Sequence, residues 1–443
     1  MLRLALLFVV LIAYGSLYPF DVWTPPAPPL FHFLGVWPAT IDRADLVQNV
    51  LAYAPFGLFF CLWRLGRDKV ASAIAHTAAA GLVLSAVMES LQQFEPARTA
   101  STADIAMNVL GALAGAVLAL VFGRAAPHPV HPGQHGLHPL RAIAALQRWR
   151  ARRFASGTLP NIGLAALGLW VLSQTSPLVP APDPAYLARN LASLGWELRH
   201  PLRMGLSGAV VVAFQLTGLG LLLRSLVQQR YLPAPREPRL LLAGGEGRLF
   251  VSMLALVFAG KLIIYGRMLG LSDVLGAALA LGLLHLVRAA TARVVAQAGG
   301  AALLCGFVLN ELLASPGGLL HDFNWVPLAG QMRSLAGLEN ILELFWPFFA
   351  LAYFVRVLTP LARRAMVSSM GGALVLALVF WLEWHQQDVP GRFGDITQVL
   401  LALGGWLLPW SFRSADFRFS HAGARLPEHR PAGVNSAAAR LPH

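Results

Sequence analysis

Apolar runs of about twenty residues recur along this chain. That is the length an α-helix needs to cross the hydrocarbon core of a bilayer. Twelve such stretches can be drawn, with cores near 3–20, 46–65, 70–92, 102–122, 159–176, 206–226, 249–266, 271–288, 296–313, 341–358, 367–384 and 396–412. A backbone in lipid must satisfy its own hydrogen bonds, so only helices and closed barrels span it. A barrel would announce itself as short alternating strands, and the sequence carries no such pattern. The expected fold class is therefore all-α, a polytopic integral membrane protein of about twelve transmembrane helices. Composition agrees: 56% of residues are hydrophobic and 12% charged, about half the charged share of a soluble domain.

The charge that remains is informative. Lysine and arginine number 34 against 21 acidic residues, a net +13, and nearly all the basic residues are arginine. In a membrane chain this excess points to cytoplasmic loops, so no nucleic-acid partner is expected. Basic residues cluster at 64–69, 141–153, 288–293 and 356–364. All four clusters fall on one side of a twelve-span arrangement with both termini on that side, and the positive-inside rule makes it cytoplasmic. The expected localisation is the bacterial inner (cytoplasmic) membrane, multi-pass. Arg189, Arg199 and Arg203 fall on the outside and run against this orientation. They belong to "LARNLASLGWELRHPLRMG", an amphipathic stretch suited to the interface. The first apolar run lacks a small-residue cleavage site and ends in Tyr18-Pro19-Phe20, so it is expected to be a retained helix. Cys61 and Cys305 lie in apolar runs, which argues against a disulfide scaffold.

Two polar stretches interrupt this apolar background. "MESLQQFEPAR" ends the third run and "LEWHQQDVPGR" ends the eleventh. At an offset of 294 residues, Glu89 meets Glu383, Gln92 meets Gln386, Gln93 meets Gln387, Pro96 meets Pro390 and Arg98 meets Arg392. Asn49 and Pro55 align with Asn340 and Pro347 once one residue is inserted. The matched residues are polar types that are scarce here. An internal repeat of four helices is expected, with four middle spans belonging to neither copy. Residues 123–158, with His128, His131, His135 and His138 interrupted by prolines, are expected to be a cytoplasmic linker and not a metal site. The Ala- and Arg-rich tail 413–443 is expected to be disordered.

The order and spacing of these motifs resemble the VanZ-like membrane protein family. The matching residues are Tyr18-Pro19-Phe20, Asn49 with Pro55-Phe56-Gly57, Glu89 with Gln92, Pro96 with Arg98, and Asp104 with Asn108 and Gly111. The resemblance implies a VanZ-like unit at 1–122 and a second, diverged one at 296–412, flanking middle helices at 159–295. It also implies a cell-envelope role: the named member confers low-level resistance to a glycopeptide antibiotic, teicoplanin, and some relatives are associated with exopolysaccharide functions. The second copy departs from the pattern, with Gln398 for Asp104, Ala402 for Asn108 and Pro409 for Gly115. Gly405 keeps the place of Gly111, and Asp395 replaces Ser101 as a candidate substitute carboxylate.

Physically, Glu89, Gln92 and Gln93 share one helix face near its end, and Asp104, Asn108, Gly111 and Gly115 form a stripe on the next helix. The candidate polar cluster or ligand site is therefore Asn49, Glu89, Gln92, Gln93, Arg98, Asp104 and Asn108, with Glu383, Gln386, Gln387, Arg392 and Asp395 in the second unit. Three uses stand open: a clamp in which Arg98 pairs with Glu89 or Asp104, a pocket for an anionic or hydroxyl-rich lipid-linked head group, or a catalytic site with Glu89 as base. Lys261 is expected to pair with a carboxylate, Glu311 being one candidate, or to snorkel. No metal-ligand spacing, nucleophile triad or phosphate loop is present, so no metal and no cofactor is expected. The expected partners are membrane lipids and a lipid-linked envelope precursor. A binder is favoured over an enzyme, with a transporter of an envelope lipid or sugar and a membrane enzyme acting on a lipid-linked substrate as alternatives.

Overall fold

The computed structural model describes residues 1–18, 20, 23–25, 29–38, 43–96, 98–122, 138–155, 157–181, 183–200, 206–228, 245–313, 320–329, 331 and 335–412. His128, His131 and His135, Arg203 and the tail from Arg413 lie outside these residues. The described chain is helical, with no strand beyond two isolated bridges. The helices are α1 (Leu2–Leu17), α2 (Arg43–Leu65), α3 (Val70–Gln92), α4 (Thr102–Phe122), α5 (His138–Arg153), α6 (Thr158–Thr175), α7 (Pro184–Arg199), α8 (Leu206–Gln228), α9 (Gly245–Ile263), α10 (Leu271–Leu286), α11 (Ala292–Leu312), α12 (Leu335–Leu358), α13 (Arg364–His385) and α14 (Ile396–Ser411).

Seven described helices are long and apolar enough to cross a membrane, or eight if the bent pair 145–153 and 158–175 forms one span. This is fewer than the twelve expected. The other expected ranges do hold helices, but of a different kind. α1, α10 and α14 have 16 residues each, roughly 24 Å of rise against a hydrocarbon core of about 30 Å. α9 carries Glu246, Arg248 and Lys261 within 19 residues. α5 arises in a stretch expected to be only a linker, where Ala, Leu, Gln and Arg favour helix. It bends by 110° into α6. Gln147 Nε2 donates to the Leu120 carbonyl at 2.6 Å, and buried Arg150 bonds the Asn161 amide oxygen.

Packing groups the helices. α2 lies against α4, and α1 and α3 also pack on that pair. α12 lies against α14, with α11 on α12 and α13 on α14. α8 packs between α10 and α11. Tyr53, Phe56, Trp170, Leu219, Leu222, Leu226, Tyr353 and Phe354 belong to the largest core and join α2, α6, α8 and α12. Phe307, Phe348, Val379 and Trp406 form a second core within α11–α14. Pro55 and Pro347 sit inside α2 and α12, where neighbouring helices can absorb the lost backbone bond. Gly111 lets α4 touch α2: a β-carbon there would meet the Val50 carbonyl. Gly405 does the same for α14, where a β-carbon would lie 2.5 Å from the Phe345 carbonyl.

Candidate functional site

The polar residues singled out in the first unit do converge. Glu89 lies in the last turn of α3 and is 3% exposed. Its Oε2 accepts from the backbone N–H of Ser101 at 2.9 Å, immediately before α4 begins. The carboxylate thus caps the next helix, where unsatisfied N–H groups and the helix dipole favour negative charge. Asp104 follows in the first turn of α4, with Asn49 and Asp45 nearby. One turn deeper, Asn108 Nδ2 donates to Ser85 Oγ at 2.9 Å. Asn108 is 4% exposed and its Oδ1 has no hydrogen-bond partner among the described residues. The Tyr53 hydroxyl, 2% exposed, approaches Ser85 and Glu89 without a well-formed hydrogen bond.

Arg98 does not clamp a carboxylate. Its Nε donates to the Tyr18 carbonyl at 2.9 Å and its Nη2 to the Gly15 carbonyl at 3.0 Å. Gln92 Nε2 joins it, donating to the Ser16 carbonyl at 2.8 Å. The last carbonyls of α1 have no partner within the helix and carry its negative pole, so they outcompete Glu89 and Asp104 for the guanidinium. Gln93 stands at the rim, where Oε1 accepts from Phe31 N–H at 2.9 Å.

Some of these contacts have counterparts around Glu383. Glu383 is fully buried, and its Oε2 accepts from Asp395 N–H at 3.0 Å. Gln387 Oε1 accepts from Phe323 N–H at 3.2 Å. Arg392 donates to the carbonyls of Glu311 and Asn310, both at 3.0 Å, at the end of α11. Asp395 takes the place of Ser101 as the cap of α14, with Oδ1 accepting from Thr397 N–H at 2.7 Å and Oδ2 from Gln331 at 3.2 Å. It caps α14 and also sets a second carboxylate close to Glu383. Gln386 Nε2 donates to Glu311 Oε2 at 2.7 Å and to Glu383 Oε1 at 3.4 Å. Glu311 also pairs with Arg392 at 3.3 Å, not with Lys261, which holds Asp273 at 2.9 Å. Asn340 is exposed, unlike Asn49.

Sequence reasoning missed Tyr53 and Ser85, although each stands one helical turn from a residue it did select, Asn49 and Glu89. It also missed a third polar assembly. Arg267, 7% exposed, reaches Glu339 Oε1 at 2.5 Å and Glu343 Oε1 at 3.5 Å, donates to the Ser176 carbonyl at 2.6 Å and bonds the Ser173 carbonyl. These bonds tie α6 and the α9–α10 turn to α12. Beside the first cluster, the flanking faces of α2 and α4 and Leu178 border an apolar cleft of about 320 Å³, lined by Leu46, Val47, Val50, Leu51, Met107 and Leu178. Among the described residues no group of three or more His, Cys, Asp or Glu could hold a metal ion.

Residues 2–123, the stretch holding α1 to α4, match the family model described as VanZ/LLP1. The motif resemblance of the first unit is thereby borne out. No curated protein and no solved structure gives a significant match.

Proposed function

From this VanZ/LLP1-type first unit, we propose that the chain is a bacterial inner-membrane protein that binds a lipid-linked or glycopeptide-like molecule in a cell-envelope role, contributing to antibiotic resistance or exopolysaccharide functions. The observation that carries the proposal is an excess of acceptors, Glu89 and Asn108 buried and Asp104 partly buried, near helices α2 and α4 that also border an apolar cleft. Glu89, Asp104 and the unpartnered Asn108 Oδ1 are acceptors, and the nearest cation, Arg98, is spent on backbone carbonyls. An unmade hydrogen bond on a buried group costs about 1–3 kcal/mol, so a ligand that supplies hydroxyl or amino donors is favoured there. The cleft lined by Val50 and Met107 suits the lipid portion.

The same proposal takes the architecture as twelve spans in two like-oriented four-helix units, α1–α4 and α11–α14. The recurrence of the Glu–backbone cap, the Gln–backbone bond and the arginine cap of the preceding helix at matching positions supports an internal repeat. The first unit alone carries the Asp104/Asn108 pair, so binding is assigned to it.

The test is native mass spectrometry of the purified protein with a polyprenyl-linked sugar and with the same polyprenyl phosphate lacking sugar. The sugar-bearing lipid should be retained preferentially and unconverted, and Asn108→Leu should abolish the preference. Equal retention of both lipids, or preference unchanged in Asn108→Leu, would contradict the proposal.

A further inference from the structure

α7 is turned inside out relative to a helix on a water-soluble protein. Its protein-facing side chains are polar. Tyr186 Oη donates to the carbonyls of Ile264 and Arg267 at 2.8 and 2.9 Å, and Asn190 Nδ2 donates to those of Leu262 and Arg267 at 3.1 and 3.3 Å. Glu197 Oε2 accepts from Leu271 N–H at 2.6 Å, at the start of α10. These three residues lie on one stripe at 3.6 residues per turn. The adjacent stripe is Leu187, Leu191 and Leu198, between 37% and 58% exposed. The remaining side carries exposed Arg189, Arg199 and Trp196, whose ring stacks on His200 at 4.7 Å.

Three faces demand three environments. The polar stripe holds the α9–α10 turn. The leucine stripe is exposed among the described residues and follows the apolar helix α6 in the chain. The arginine–tryptophan side has the composition of a membrane–water boundary. We propose that α7 lies in the plane of the leaflet at the α6–α8 end of the bundle, and that Arg189 and Arg199, about 15 Å apart along the helix, each bind the phosphate of an anionic phospholipid. Guanidinium pairs phosphate bidentately and tolerates partial dehydration. The placement also accounts for two arginines that run against the orientation set by the rest of the chain: a lipid phosphate neutralises each locally. Bound lipid would brace the same turn whose Arg267 reaches Glu339 and Glu343 of α12.

The test uses the full chain in neutral detergent, titrated with phosphatidylglycerol or phosphatidylcholine and read by native mass spectrometry. Wild-type protein should retain phosphatidylglycerol more tightly. Arg189→Gln with Arg199→Gln should weaken it roughly thirtyfold, the factor for about 1 kcal/mol per arginine, and leave phosphatidylcholine unchanged. Arg189→Lys with Arg199→Lys should keep most of the preference and lose it as salt rises. Equal affinity for the two lipids, an unchanged glutamine variant, or a salt-insensitive lysine variant would each overturn the proposal. So would a Leu191→Glu variant that converts a dimer to a monomer, because a second copy would then cover this face.

Discussion

Arg98 shows how far a residue can be read without its surroundings. Its position in a Pro-x-Arg turn after Glu89 was legible, and so was its nearness to that carboxylate. Its partners were not, because the acceptors are the carbonyls of Gly15 and Tyr18, and backbone oxygens leave no trace in residue identity. The consequence is measurable. Arg98→Ala should lower stability by about 1.5–3 kcal/mol, the range for a charged hydrogen bond, followed by thermal unfolding in detergent. Adding Glu89→Gln and Asp104→Asn should not restore it. Full rescue by those two changes would mean that the guanidinium serves the carboxylates after all. Glu89 itself was read correctly as buried and polar. Its role as the cap of α4 became visible only with Ser101 N–H at 2.9 Å. Tyr53 and Ser85 stayed hidden because single aromatic and hydroxyl residues on apolar helices usually report packing.

At the scale of elements, hydrophobic length located helices well and their membrane status less well. All twelve expected cores are occupied by helices. Short α1, α10 and α14 and charged α9 separate helix formation from span length, which periodicity alone does not do. α5 was missed as a helix because its arginines read as loop. α7 was legible as amphipathic, yet which face meets protein was not, since its bonded face is the polar one. The glycine stripe of α4 was legible as a close-packing signal, and Gly111 indeed presses on α2. Gly111→Leu should separate α2 from α4 and cost about 1–3 kcal/mol or more, as overpacking does. Gly405→Leu should do likewise between α14 and α12. Both are checked by unfolding with increasing denaturing detergent. A Gly111→Leu protein of wild-type stability would show that the α2–α4 contact is looser than described.

For the molecule as a whole, the family match ends at residue 123. Some contacts of the first unit nevertheless reappear around Glu383, Arg392 and Asp395. The Asp-x-x-x-Asn pair of the first unit has no counterpart there, where Gln398 and Ala402 stand, while a glutamate that accepts from the N–H before the next helix and an arginine on the last carbonyls of an earlier helix occur in both places. The proposal joins this recurrence to an envelope role and takes both carboxylate-capped turns to lie at the outer face, as the arginine distribution leads one to expect. Thr99 and Phe393, both exposed, lie in those turns. Cys305 is exposed and should first be replaced by serine. Single cysteines at 99 and 393 should then react with a membrane-impermeant thiol reagent in intact spheroplasts, at rates unchanged by lysis. Labelling only after lysis would invert the molecule, and labelling at one position but not the other would contradict two like-oriented units.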